Sequence, residues 1–181
     1  MALAPFGCPA AGFQENIIME QPTLTFRFAQ KQDAALILDF IRALAQYEHL
    51  ESEVTATEAL LTEWIFEKKK AEVLFAVLDG REIGFALFFH NFSTFLGRAG
   101  LYLEDLYILR EYRGAGWGRR MLQKLAQIAC ERGCGRLEWQ CLDWNKSSIE
   151  FYLSLGAQPM DGWTTYRVAG DTLKHLASGR D

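Results

Sequence analysis

Arg113-Gly114-Ala115-Gly116-Trp117-Gly118-Arg119-Arg120 sets three glycines among three arginines, between an apolar run (101–109) and a helical pattern at Met121, Leu122, Leu125, Ile128 and Ala129. Glycine removes the Cβ that holds a ligand off the main chain. At a strand-to-helix turn, successive N–H groups then converge on one anion, aided by the positive end of the helix dipole. Arginine side chains suit oxygen anions. The stretch reads as a pyrophosphate cradle. A P-loop needs Gly-Lys-Ser/Thr at its end, and this one ends Gly-Arg-Arg. A dinucleotide fingerprint fails as well, because its third glycine position falls on Arg119 or Met121. Arg-x-x-Gly-x-Gly is met by Arg113, Gly116 and Gly118.

Other residues with chemical potential flank the cradle. Glu104 and Asp105 are adjacent carboxylates in the preceding strand, where regular alternation sends them to opposite faces unless a bulge re-aims them. Tyr47, Glu48, Glu51 and Glu53 form an acidic connection after the first helix, with a solvated loop as the competing reading. Asn145 to Leu155 reads as a helix with Asn145 at its N-cap, and Ser148 and Tyr152 lie within it. His49 and His90 have no paired ligand pattern, and no metal site is expected.

The elements that must position these groups follow from periodicity. Strands are predicted at 24–29, 72–78, 82–92, 101–109 and 136–142, with two short ones near 157–161 and 163–168. Helices are predicted at 33–47, after a Thr57 cap through Ile65, at 113–132 with its loop, at 145–155, and as a turn or two at 171–177. Asp79-Gly80 is a hairpin turn and 91–100 a loop. Periodicity alone says mixed α/β.

The chain has 181 residues, half of them hydrophobic, with a net charge of −4. That suits one domain at 21–181 behind a tail at 1–20, with Met19 as a candidate start. Mild negative charge argues against general nucleic-acid affinity, and no apolar run is long enough to span a membrane. The first eighteen residues make a poor signal peptide. Cys8, Cys130, Cys134 and Cys141 lack zinc-knuckle spacing, and reduced thiols of a cytoplasmic protein are expected.

The Arg-x-x-Gly-x-Gly loop, the Asn145-to-Tyr152 block and the following Leu155-Gly156-Ala157 resemble the second half of the GNAT N-acetyltransferase superfamily. Leu101-Tyr102-Leu103-Glu104-Asp105, Leu44-Ala45-Gln46-Tyr47-Glu48 and Leu142-Asp143-Trp144-Asn145 resemble its diamine acetyltransferase branch, which includes a thialysine-acetylating subgroup. Ser93-Thr94-Phe95 resembles the thialysine subgroup and departs from the Asp-Pro-Trp of polyamine-specific members. The resemblance covers roughly 24–177. It implies a β-α-α-β-β-β-α-β-α-β-β mixed sheet, acetyl-CoA as co-substrate, a small primary-amine acceptor and a homodimer. It also implies roles. Glu104 is the water-relayed base and Tyr152 the acid that protonates the departing thiolate. Leu106, Ile108, Arg113, Gly114, Ala115, Gly116, Trp117, Gly118, Arg119, Asn145 and Ser148 bind the coenzyme. Tyr47, Glu48, Glu104 and Asp105 meet the acceptor. A silent coenzyme A sensor and a protein lysine or N-terminal acetyltransferase are the alternatives.

Overall fold

The computed structural model describes residues 23–179, so the tail at 1–20, with Cys8 and Met19, lies outside the described residues. Two compact units divide between Trp139 and Gln140.

The first unit is a five-stranded sheet in the order β1-β2-β3-β4-β5, with β1 at Leu24–Phe28, β2 at Glu72–Leu78, β3 at Arg81–Ser93, β4 at Arg98–Ile108 and β5 at Leu137–Trp139. The first four strands pair antiparallel and β5 pairs parallel to β4. Its helices are α1 at Ala34–Glu48, α2 at Glu58–Leu61 and α3 at Trp117–Glu131. Thr57 caps α2 as expected, its Oγ1 accepting from Leu60 N–H at 3.2 Å. Beyond Leu61 the chain winds more loosely through Thr62–Glu67 as a π-helical turn, with Lys68 N–H donating to Glu63 C=O.

β2 is apolar on both sides. Val73 and Phe75 face α1, where Ile37, Phe40, Leu44, Ile65, Phe85 and Tyr107 complete a buried cluster. Alternation sends Leu74 and Ala76, also buried, to the other face. α3 buries Met121, Leu122, Leu125, Ile128 and Ala129, the stripe its periodicity marked. β1, α1 and β3 are joined by Arg27. It donates to both Asp33 oxygens (2.7 and 3.0 Å) and to Glu82 (2.9 Å).

The loop expected at 91–100 is shorter than read, because β3 runs to Ser93 and β4 begins at Arg98. Ser93 closes that turn, its carbonyl accepting from Gly97 N–H and its hydroxyl from Leu96 N–H.

The second unit, from Gln140, holds α4 at Lys146–Ser154 and α5 at Gly170–Ser178. The strand expected at 136–142 stops at Trp139. The two strands expected near 157–161 and 163–168 do not form. Their turn does: Trp163 N–H donates to Met160 C=O around Asp161-Gly162. Pro159 withholds a donor from one flank, and Gln140 meets Thr165 side chain to side chain (3.0 Å), not through a backbone ladder. Alternation identifies faces; a strand also needs a partner edge.

Candidate active site

The decisive local feature is a register shift. Leu87 pairs with Asp105 but Phe88 pairs with Leu103, so Glu104 is an extra residue with no partner across the strand pair. A bulge of this kind bends the strand and re-aims its side chains. Glu104 is exposed and Asp105 half-buried. Regular alternation therefore breaks at the two carboxylates, through the kind of bulge that the sequence reading had left open.

Burial pushes the Asp105 carboxyl up to about 6, and the charges of Glu104 and Glu48 push the same way. Glu48 is the last residue of α1 and is itself raised by burial. His49 stops the helix directly after it, adopting the left-handed conformation (φ 60°), with its N–H reaching Ala45 and Gln46 carbonyls. Asn and Asp aside, His is among the non-glycine residues that best tolerate this region. The charges of two glutamates, one on each of two elements, thus act on Asp105. Glu51 and Glu53 lie on an exposed turn.

Beyond the bulge, β4 leaves its parallel neighbour. β5 pairs only with Leu101–Leu103. Leu109 N–H donates to Ile83 C=O (2.9 Å), and antiparallel alternation then turns the Leu106 and Ile108 main-chain groups away from β3. Those two residues were expected to meet an extended ligand arm. Ile108 C=O already accepts from Arg113 Nε at 2.9 Å.

The glycine loop follows. Gly114 (φ 84°) and Gly116 (φ 83°) are left-handed, and no atom lies within 4 Å of where a Cβ would stand on either. Gly116 is the N-cap of α3, and no side chain caps that end. Ala115 is exposed, Trp117 and Gly118 half-buried, and Arg119 exposed. Among the described residues, this strand edge has no strand neighbour and runs into a helix start without a side-chain cap, which leaves main-chain donors open to an extended anionic ligand.

Arg113 is placed otherwise than expected. Its guanidinium lies 4.4 Å over the Tyr47 ring and 4.9 Å from Tyr107, whose rings are 6.3 Å apart. Sequence reading had no signal for this contact, which joins residues far apart in the chain.

In the second unit, Asn145 is the α4 N-cap. Its side chain accepts from Ser148 N–H and from Ser147 Oγ, each at 3.3 Å. Tyr152 is half-buried two turns in, its ring 5.4 Å from that of Phe151.

Residues 37–157 match the Acetyltransferase (GNAT) family. The chain belongs to that family. It is therefore an acetyl-transferring enzyme with the GNAT fold. GNAT enzymes use acetyl-CoA as co-substrate. Thialysine N-epsilon-acetyltransferase of Bos taurus is 36% identical over 163 residues, covering 83% of this chain and 95% of that protein. L-ornithine N5-acetyltransferase of Arabidopsis thaliana is 42% identical over 93 residues, 51% of this chain and 41% of that one. Among solved structures, an integron cassette protein from the mobile metagenome of V. cholerae superposes with a TM-score of 0.73 at 26% identity, covering 86% of this chain and 98% of that chain. These relatives place the chain on the diamine/thialysine-like branch of the GNAT family.

One branch marker lies apart from the carboxylates. Ser93-Thr94-Phe95 is at the β3–β4 hairpin tip, with Phe95 almost wholly exposed. At about 3.3 Å per residue from Arg98, that tip stands roughly 20 Å along β4 from Glu104.

Proposed function

We propose that the enzyme transfers the acetyl group of acetyl-CoA to a primary amine of a small thialysine-, diamine- or amino-acid-like molecule. The observation that carries this reading is the bulge at Glu104. It sets a carboxylate cluster at the point where β4 leaves β5 and heads into the glycine loop. The thialysine- and ornithine-acetylating relatives support the acceptor class.

A lysine-like ammonium has a pKa of ~10.4, so freeing its lone pair at pH 7 costs ~4.6 kcal/mol. Glu48 and Asp105 attract the cation, and Glu104 takes the proton through a water. The free nitrogen attacks the thioester carbonyl: the C–N bond forms, the C–S bond breaks, the departing sulfur takes the Tyr152 phenolic proton, and the proton the nitrogen sheds on becoming an amide returns to the Tyr152 phenolate through water. A phenol pKa of ~10 keeps that proton available at neutral pH. The N–H groups at the start of α3 hold the pyrophosphate. Asn145 and Ser148 serve the coenzyme arm at the start of α4. Action as a homodimer in the cytoplasm, without nucleic-acid or membrane partners, completes the reading; it rests on family resemblance and on the net charge of −4.

The test is thiol release from acetyl-CoA across thialysine, lysine, ornithine, putrescine, spermidine and aminoglycosides. Turnover with a small aminoacyl or diamine acceptor is expected. No release with any amine, from protein that binds acetyl-CoA, would leave a silent coenzyme A sensor instead.

A further inference from the structure

Arg113 opens the glycine loop, yet its side chain is committed to the acceptor wall. Nε donates to Ile108 C=O at 2.9 Å, and the guanidinium lies over Tyr47 at 4.4 Å and near Tyr107 at 4.9 Å. Those contacts join three pieces of chain: the last turn of α1, the end of β4 and the first residue of the loop. A planar guanidinium can stack on a ring and donate in its own plane at once, which a lysine ammonium cannot do. Tyr47 immediately precedes Glu48, whose charge is felt by Asp105. The end of α1, stopped by His49 and carrying Glu48, is therefore braced by a residue of the coenzyme loop.

We propose that Arg113 is a positioning residue that locks the acceptor wall, through Tyr47 and the end of α1, to the coenzyme loop, and that it is not a phosphate ligand. The inference rests on the acetyl-transfer reading for its kinetic consequence. It departs from the sequence expectation, which put Arg113 among the coenzyme contacts.

Two kinds of substitution separate the roles. Arg113→Gln removes the charge. With its side chain turned to the rings and long-range effects screened at physiological salt, acetyl-CoA affinity by calorimetry should change by less than about threefold. Arg113→Lys keeps the charge and loses the in-plane donor and the stack. The acceptor KM should rise by about tenfold, the combined worth of one exposed cation–π contact and one hydrogen bond. In the double variant with Tyr47→Leu, the two effects should not add, because both remove the same contact.

A loss of acetyl-CoA affinity of about tenfold or more in Arg113→Gln, the scale of a lost charge-assisted bond, overturns the proposal. So does additivity of the Arg113→Lys and Tyr47→Leu effects on acceptor KM. Wild-type protein inactive on every amine counts against the acetyl-transfer reading instead, and the calorimetric arm then decides the phosphate question alone. Should Arg113→Gln fail to fold, Arg113→Met, which also removes the charge, carries the same affinity comparison.

Discussion

Asp105 in β4 and Glu48 at the end of α1 are half-buried carboxylates that repel one another across the junction of helix and sheet. Burial is the larger influence on Asp105, Glu104 adds to it, and Glu48 adds further, bringing the carboxyl to about 6. The native state holds this proton more tightly than the unfolded chain does. Below the unfolded value of 3.8 the group is protonated in both states and contributes nothing. As pH rises to about 6 and beyond, ionisation costs the native state up to ~3 kcal/mol. Asp105→Asn should therefore raise stability to urea near pH 7.5 by a fraction of that amount, about 1–2 kcal/mol, and leave it almost unchanged near pH 4. An equal effect at both pH values would count against a strained, ionised Asp105.

Asp33 provides the opposite sign. Arg27 holds its carboxyl below the usual carboxylate range, and Gln30 N–H also donates to it at 2.7 Å. The stability it contributes is present above the unfolded value and is lost as pH falls through the lower native one. Asp33→Asn should cost ~1.5–3 kcal/mol near neutrality, the scale of hydrogen bonds to charged groups. The deficit should shrink as wild type is acidified below about pH 4. A deficit constant with pH would mean the loss is packing, not charge.

Gly116 tests the coenzyme site. At φ 83° with open space around it, Gly116→Asp meets strain but no clash. Left-handed backbone costs a non-glycine residue ~1–2 kcal/mol, and Asp among the least. The fold should persist, with a modest fall in thermal midpoint. A carboxylate beside the α3 N-terminus should lower acetyl-CoA affinity severely in calorimetry. Unchanged binding would put the phosphate site elsewhere.

Small acceptors should outrank spermine in kcat/KM. The support is the identity to thialysine- and ornithine-acetylating relatives and an Asp105 whose carboxyl feels the charges of Glu104 and Glu48. The hairpin triplet Ser93-Thr94-Phe95 adds nothing within one chain, given its distance along β4. Spermine as the best substrate in the panel would reassign the branch.

The strands β1 to β4, α1 and α3 were legible because each has an apolar pattern of its own: continuous runs in β2 and the first half of β3, and a stripe such as Leu122, Leu125 and Ala129 in α3. The glycine loop was legible because its conformation is local to Gly114 and Gly116. What sequence did not carry was set by pairing between distant segments. The bulge at Glu104 exists only as a mismatch between β3 and β4. Arg113 turns back toward Tyr47 because α1 ends there. Residues 157–168 have the turn and the alternation of a hairpin, yet no backbone ladder forms on them.

The most direct measurement is kcat for Glu104→Gln as a function of pH, with saturating acetyl-CoA and the best amine. Glutamine keeps the shape and most of the hydrogen bonding but cannot take a proton. Loss of a general base is worth ~10²–10⁴ in rate, so kcat should fall by that order at neutral pH with acetyl-CoA affinity nearly unchanged. The residual rate should climb as pH approaches the amine pKa of ~10.4, because the free amine must then form in solution. Near-normal kcat at neutral pH with a flat profile would contradict the assignment, leaving the bulge carboxylate structural and catalysis to positioning alone.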